Sequence, residues 1–298
     1  MSYIKEILSK TEVMLLISIV LGLIISLKIK IGFLIDYLLG IMMFFSIRPF
    51  FRKNFDIKNN YKKIFLSIFF NYVFLSGLFI IVGTLFFKSS PYYVGFILLA
   101  IVPPAISIVP LCYATKCEPE IADNSLFLSF ALSLLIIPSV IFFAFKKYAD
   151  IYLLLSIMLK IIIVPLILAY LLSEKKFRLF SYSKIISNIC LSAVLFIAVS
   201  LNRNFFLTFN SDTIKIYFLI LSIFFLGGFL VYFITNRLFT KAEAINFTLY
   251  ATQKNEGTAL AISVGLFSSL TIIPVVIALL SQFLFFIFLK KYILKINI

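Results

Sequence analysis

The stretch Ala251–Leu270 reads ATQKNEGTALAISVGLFSSL. Most of it is sequence that a lipid bilayer accepts, yet Gln253, Lys254, Asn255 and Glu256 stand together at its start. A lysine or carboxylate at the bilayer centre costs about 2.5–3.5 kcal/mol on insertion scales, so such residues normally face a bundle interior or a water-filled cavity. The basic and acidic residues that mark the preceding membrane boundary are Arg237, Lys241 and Glu243. At the helical rise Lys254 lies roughly 15–20 Å beyond them. That places the polar group near mid-membrane rather than at a solvated end, and predicts that the helix is interrupted there.

The rest of the chain supports a membrane setting. Of 298 residues, 63% are hydrophobic and 13% charged, with a mean hydropathy of +1.14; a soluble domain carries roughly 25% charged residues. Apolar runs of about 20 residues recur from end to end, the length a spanning helix needs, without the short alternating segments of a β-barrel. The expected fold class is an all-α integral membrane protein. Ten spans are expected, near 13–28, 31–47, 64–87, 91–114, 121–145, 150–172, 182–202, 213–235, 241–268 and 271–289. The first, preceded by no small-residue cleavage site, reads as a retained span rather than a signal peptide.

The net charge of +15 does not imply a nucleic-acid partner, because the basic residues sit in short loops between apolar runs. With the N-terminus taken as cytoplasmic, eighteen lysines and arginines fall on the cytoplasmic side and seven on the other. The positive-inside rule then predicts both termini in the cytoplasm of a cell-membrane protein. Ten spans divide into two halves of five, and an odd-numbered half must insert upside down relative to its twin, the inverted-repeat plan of many secondary transporters. There is no histidine, which excludes imidazole metal sites and histidine proton relays. Cys112, Cys117 and Cys190 have no metal spacing and read as packing residues.

The fourth span contains AIVPPAISIVPLCYA (Ala100–Ala114). Proline removes a backbone donor and clashes with the preceding turn, so Pro103, Pro104 and Pro110 predict an unwound stretch over 103–110. In the ninth span, Gln253 to Glu256 and Gly257 predict the same over 253–257. Two interrupted helices in corresponding positions of two halves point to a transporter binding site. The partial charges of helix ends there allow ions to bind with few charged side chains. Elsewhere, Lys160 lies deep in its span and either contacts an anion or snorkels. Asp36 reads as interfacial, and Asp123 and Asn124 as a solvated helix start. Ser129 and Ser133, one turn apart, either ligate an ion or bond back to their own helix.

Two stretches resemble the superfamily of bile acid–sodium symporters, auxin efflux carriers and arsenite permeases. They are VPPAISIVPLCYATKCEPEIADNSLFLSFALSLLIIP (Val102–Pro138) and KNEGTALAISVGLFSSLTIIPVVIALLSQ (Lys254–Gln282). Their order along the chain is that of the bile acid symporters. The resemblance implies a core domain (about 64–145 and 206–298) moving against a panel domain (about 1–63 and 146–205). Substrate and ions would bind where the two broken helices cross. Position in the spans and the resemblance together give the candidate binding residues Gln253, Lys254, Asn255, Glu256, Tyr250, Ser107, Ser129 and Ser133. Sodium-coupled members carry a glutamate ligand where this chain has Tyr250 and a glutamine where it has Lys254, so two sodium ligands are replaced and an ammonium is added.

The function expected on these grounds is secondary active transport of a small organic anion by an elevator-type mechanism, with Lys254 supplying the charge that sodium supplies elsewhere. Glu256 is then the partner of Lys254 or a proton carrier. A sodium-coupled symporter with a variant site at Asn255, Glu256 and Ser129, and a membrane sensor without flux, remain as alternatives. No nucleophile motif or metal spacing suggests an enzyme, no cofactor is implied beyond sodium or a proton as coupling ion, and the partners expected are the substrate and the bilayer.

Overall fold

The computed structural model describes residues 8, 11–27, 33–48, 57–145, 150–175, 178–208 and 211–295, and these are helical throughout apart from turns. Helices α1 (Thr11–Ile24) and α2 (Phe33–Ile47) open the chain. Helix α3 is continuous through Ile57–Phe69, a π-helical turn Phe70–Leu75 and Ser76–Phe87. Then come α4 (Tyr92–Ile101), α5 (Ile108–Thr115) and α6 (Pro119–Phe145). Helix α7 joins Ile151–Met158, a π-helical turn Leu159–Ile163 and Val164–Leu171. It is followed by α8 (Ser183–Leu201), the short α9 (Arg203–Leu207) and α10 (Ser211–Leu238). Helices α11 (Lys241–Tyr250), α12 (Glu256–Leu266) and α13 (Ile272–Phe288, extended by the π-helical turn Leu289–Ile293) complete it.

Six of these helices are long and apolar enough to cross a membrane: α3, α6, α7, α10, α13 and the helix reaching from Leu179 to Leu201. The chain is therefore an all-helical membrane protein. Four further apolar helices, Val13–Ile24, Leu34–Ile47, Tyr92–Ile101 and Glu256–Leu266, are shorter than a full span.

Two groups of helices pack side by side. In the first, α8 lies along α1 and α2, and α2 lies along α7. In the second, α3 packs on α4 and α6, and α10 packs on α11 and α13. Helix α12 joins the groups, touching α13 and α4 on one side and α2, α7 and α8 on the other. Gly257 marks the close approach to α2: a Cβ there would stand 2.8 Å from the end of the Leu39 side chain.

Arginines seal helix ends in the first group. The Arg48 guanidinium, beyond α2, donates to the carbonyls of Leu172 (2.9 Å), Ser173 (2.9 Å) and Lys175 (2.5 Å) at the end of α7, with the Phe180 ring 3.5 Å beneath it. Arg203, beyond α8, donates to the Leu23 carbonyl at the end of α1 at 2.6 Å. Carbonyls in the last turn of a helix have no internal partner, and a guanidinium supplies several donors in one fork.

Lys63 pairs with Glu243 at 2.5 Å and reaches Glu118 at 3.8 Å, drawing together the starts of α3, α6 and α11. There Cys112 and Cys117 are joined in a disulfide across the α5–α6 turn, not packed as separate thiols; Cys190 is buried and free. Lys160 does not snorkel alone: its ammonium lies 3.6 Å from Asp36, which is thus an ion-pair partner within the helices.

Candidate functional site

The fourth and ninth apolar stretches are both interrupted, and the interruptions touch. Val102 is extended (φ −69°, ψ 150°), as expected of a residue before proline, and α4 stops there. Between α11 and α12 the chain leaves the helix through Gln253–Asn255 without any proline. Pro104 and Lys254 form an isolated antiparallel bridge. Asn255 N donates to Pro103 O at 2.8 Å and Ala105 N to Gln253 O at 3.3 Å. In this pattern residues 104 and 254 form a pair with no hydrogen bond between them. The missing N–H of Pro104 therefore costs nothing, and its fixed φ suits the extended backbone.

Of the four residues expected to interrupt helices, Pro103 and Pro104 lie in the unwound segment. Pro110 and Gly257 do not. Pro110 is the third residue of α5 and Gly257 the second of α12. Proline is tolerated in a first turn because the N–H there has no helical partner. The first interruption is accordingly shorter than 103–110.

Lys254 is fully buried. Its ammonium donates to Ser76 Oγ, Ala100 O and Val102 O, each at 3.0 Å, and lies 4.9 Å from the centroid of the Tyr72 ring. An ammonium has three donors, and all three are used. Two of the acceptors are terminal carbonyls of α4, where the helix dipole is negative. Hydrogen bonds to charged groups contribute about 1.5–3 kcal/mol each, so three outweigh an insertion cost of about 2.5–3.5 kcal/mol. The expected Lys254–Glu256 pairing is not formed: the ammonium turns to the end of α4, where it meets two carbonyls and the Ser76 hydroxyl.

The end of α11 is sealed by a neutral group. Asn71, in the π-helical turn of α3, donates through Nδ2 to Tyr250 O (2.9 Å) and Gln253 O (3.1 Å). Asn255 caps the other half-helix, its Oδ1 accepting from Thr258 N at 3.2 Å. Gln282 of α13 ties the segment together. Its Oε1 accepts from Lys254 N at 3.0 Å, its Nε2 donates to Glu256 Oε2 at 2.5 Å, and its carbonyl accepts from Gln253 Nε2 at 3.4 Å. The second oxygen of Glu256, Oε1, and Oε1 of Gln253 are buried and make no hydrogen bond.

The remaining expected residues divide. Tyr250 ends α11, buried, with its hydroxyl donating to Ala122 O at 2.7 Å. Ser129 is tied to the crossing through Tyr72, whose hydroxyl donates to the Ser129 carbonyl at 2.9 Å; its own hydroxyl is buried without a hydrogen bond, as are Ser125 Oγ and Asn124 Nδ2. Ser133 bonds back to Phe130 O at 2.6 Å, which takes up its hydroxyl within the helix. Asp123 and Asn124 are buried rather than solvated. Ser107 stands just before α5, half-buried.

Asn71, Tyr72, Ser76 and Gln282 were not singled out by sequence. The available signal was polarity inside an apolar run: Asn71 and Ser76 interrupt FFNYVFLSGLFI, and Gln282 interrupts ALLSQFLFF. Comparison of the chain with protein-family models and with curated proteins finds no match.

Proposed function

We propose that the protein is a secondary active transporter of a small organic anion, working by alternating access at the crossing of two broken helices. The observation that carries this reading is the paired interruption, with backbone hydrogen bonds exchanged between residues 103–105 and 253–255. Unwound backbone at membrane depth is tolerated where it is buried in protein or lines a cavity, and discontinuous helices at a repeat interface are the usual site of transport.

The architecture proposed is ten spans in two inverted halves, with both termini in the cytoplasm of the cell membrane. Six long helices and four short ones make ten if α4 with α5, and α11 with α12, each count as one span. A five-span offset then relates many contacts. Helix α1 packs on α8 as α7 does on α2; α3 on α4 as α10 on α11; α5 on α6 as α12 on α13. The arginine seals obey the same exchange, Arg48 after the second span closing the sixth and Arg203 after the seventh closing the first. Helices α1, α2, α7 and α8 would form the panel and the others the moving core, as in the bile acid symporter superfamily that the motifs resemble.

Access is proposed from the face where α3, α6 and α11 begin. The two resumed half-helices differ: Glu256–Ser263 of α12 is wholly buried, whereas α5 exposes Pro110 and Tyr113. The proposed coupling needs no sodium, because the Lys254 ammonium holds the α4 carbonyls permanently. A sodium-coupled reading is favoured by one observation, the buried hydroxyls of Ser125 and Ser129 without hydrogen bonds.

The test is uptake of radiolabelled lactate, benzoate and succinate into proteoliposomes, with sodium or choline as the external cation. Saturable uptake unchanged in choline is expected. Uptake that requires sodium supports the second reading, and binding detected by thermal shift without uptake of any anion supports a sensor.

A further inference from the structure

We propose that Glu256 is a proton-binding site, and that its proton is the coupling ion of the carrier. The second half rests on the carrier reading above; the first stands on the site alone. Glu256 is buried in the first turn of α12. Lys254 N–H fixes the Gln282 amide with its oxygen toward residue 254, which leaves Gln282 Nε2 facing Glu256 Oε2. One carboxylate oxygen is thereby satisfied and the other, Oε1, accepts no hydrogen bond. Gln253, held by the same Gln282, also keeps a buried oxygen without a donor. Acceptors left over at this depth call for a hydrogen to be supplied.

No cation supplies it. Among the described residues no lysine or arginine lies within ion-pair distance of Glu256. The nearest in sequence, Lys254, has spent its donors on Ser76 and the α4 carbonyls. The elements packed against α12 add little: α13 carries no titratable group within Ile272–Phe288, α4 contributes Tyr92 and Tyr93, and α7 contributes Tyr152, Tyr170 and Lys160. Helix α2 contributes Tyr37 and also Asp36, which is paired with Lys160; α8 contributes Lys184 and Cys190. A buried ionised carboxylate with no counter-charge in contact is costly, and neutralisation by protonation removes the cost.

The step is a proton transfer in which hydronium protonates the Glu256 carboxylate at Oε1 and leaves water, reversed on release. It changes the net charge of the crossing. With Glu256 ionised, its charge and that of Lys254 cancel; with Glu256 protonated, the crossing carries one positive charge. An anion is then attracted only after the proton has bound, and the pair leaves together.

Infrared difference spectra between acid and alkaline buffer, on protein in lipid nanodiscs, test the first half. A carboxylic acid C=O band that titrates in wild type, is lost in Glu256→Gln and persists in Glu243→Gln is expected. A band unaffected by Glu256→Gln, or no titrating band, overturns the proposal. Should Glu256→Gln fail to fold, Glu256→Asp, which keeps a carboxyl, must shift the band. For the second half, proteoliposomes carrying an internal pH dye receive lactate, benzoate or succinate. Lumen acidification accompanying uptake, lost in Glu256→Gln, is expected. Uptake without acidification overturns the coupling alone. Absence of uptake for all three anions overturns the carrier reading and the coupling with it, while the infrared band still decides the proton site.

Discussion

The Lys254 ammonium donates to the Val102 carbonyl oxygen at 3.0 Å, joining positions 152 residues apart. One side chain from the second broken helix thus closes the end of the first. The reverse contact is absent from the same pair of helices; the end of α11 is closed by Asn71 from α3. The crossing is polar on both sides but carries its fixed positive charge on one.

Replacing Lys254 should separate its charge from its hydrogen bonds. Lys254→Met leaves Val102 O without a donor, at about 1–3 kcal/mol for an unsatisfied carbonyl, while Ala100 O keeps the Ser76 hydroxyl. A lower melting temperature in detergent is expected. Lys254→Gln keeps donors but removes the charge, so sodium should raise its melting temperature while leaving wild type unchanged. Equal sodium responses in the two proteins would mean that the ammonium does not occupy a cation's place.

Asn71→Ala removes both donors that seal α11. Both acceptors, Tyr250 O and Gln253 O, are buried; Gln253 O keeps the N–H of Ala105, so Tyr250 O is the carbonyl left unsatisfied, at a loss of about 1–3 kcal/mol. Asn71→Asp should be worse, since a carboxylate presents only acceptors to the same carbonyls. A urea or thermal melt that ranks wild type above Asn71→Ala and Asn71→Asp lowest checks this order.

Glycines separate tight from open packing around α4. A Cβ at Gly95 would run into the Thr271 carbonyl oxygen and stand 3.0 Å from Pro274 Cγ, whereas nothing lies within 4 Å of a Cβ at Gly77. Gly95→Ala should cost about 1–3 kcal/mol by overpacking. Gly77→Ala, in the same bundle, should be neutral or stabilising by up to about 1 kcal/mol, the helix preference of alanine over glycine. Melting temperatures of the two variants measured side by side decide it; a Gly95→Ala protein as stable as Gly77→Ala contradicts the close approach of α4 to the Thr271 turn.

Composition and apolar runs were sufficient for an all-helical membrane protein, because the bilayer constrains every stretch of chain separately and helices satisfy their own backbone. The first interruption was legible for the same reason: Pro103 and Pro104 lack the donors a helix needs, whatever surrounds them. The second was legible as a cluster of polar residues too far from the loop to be solvated. What became of that cluster was decided elsewhere. Residues 253–255 contain neither proline nor glycine, and their non-helical backbone is held by Pro103, Ala105 and Gln282. Sequence proximity suggested that Lys254 pairs with Glu256, two positions away. The tertiary structure instead presents three acceptors from α3 and α4 to the ammonium and one amide from α13 to the carboxylate. Hydrogen-bond partners of a buried charge are chosen by which groups other helices leave unsatisfied at that depth, and no local pattern around residue 254 records the carbonyls of residues 100 and 102.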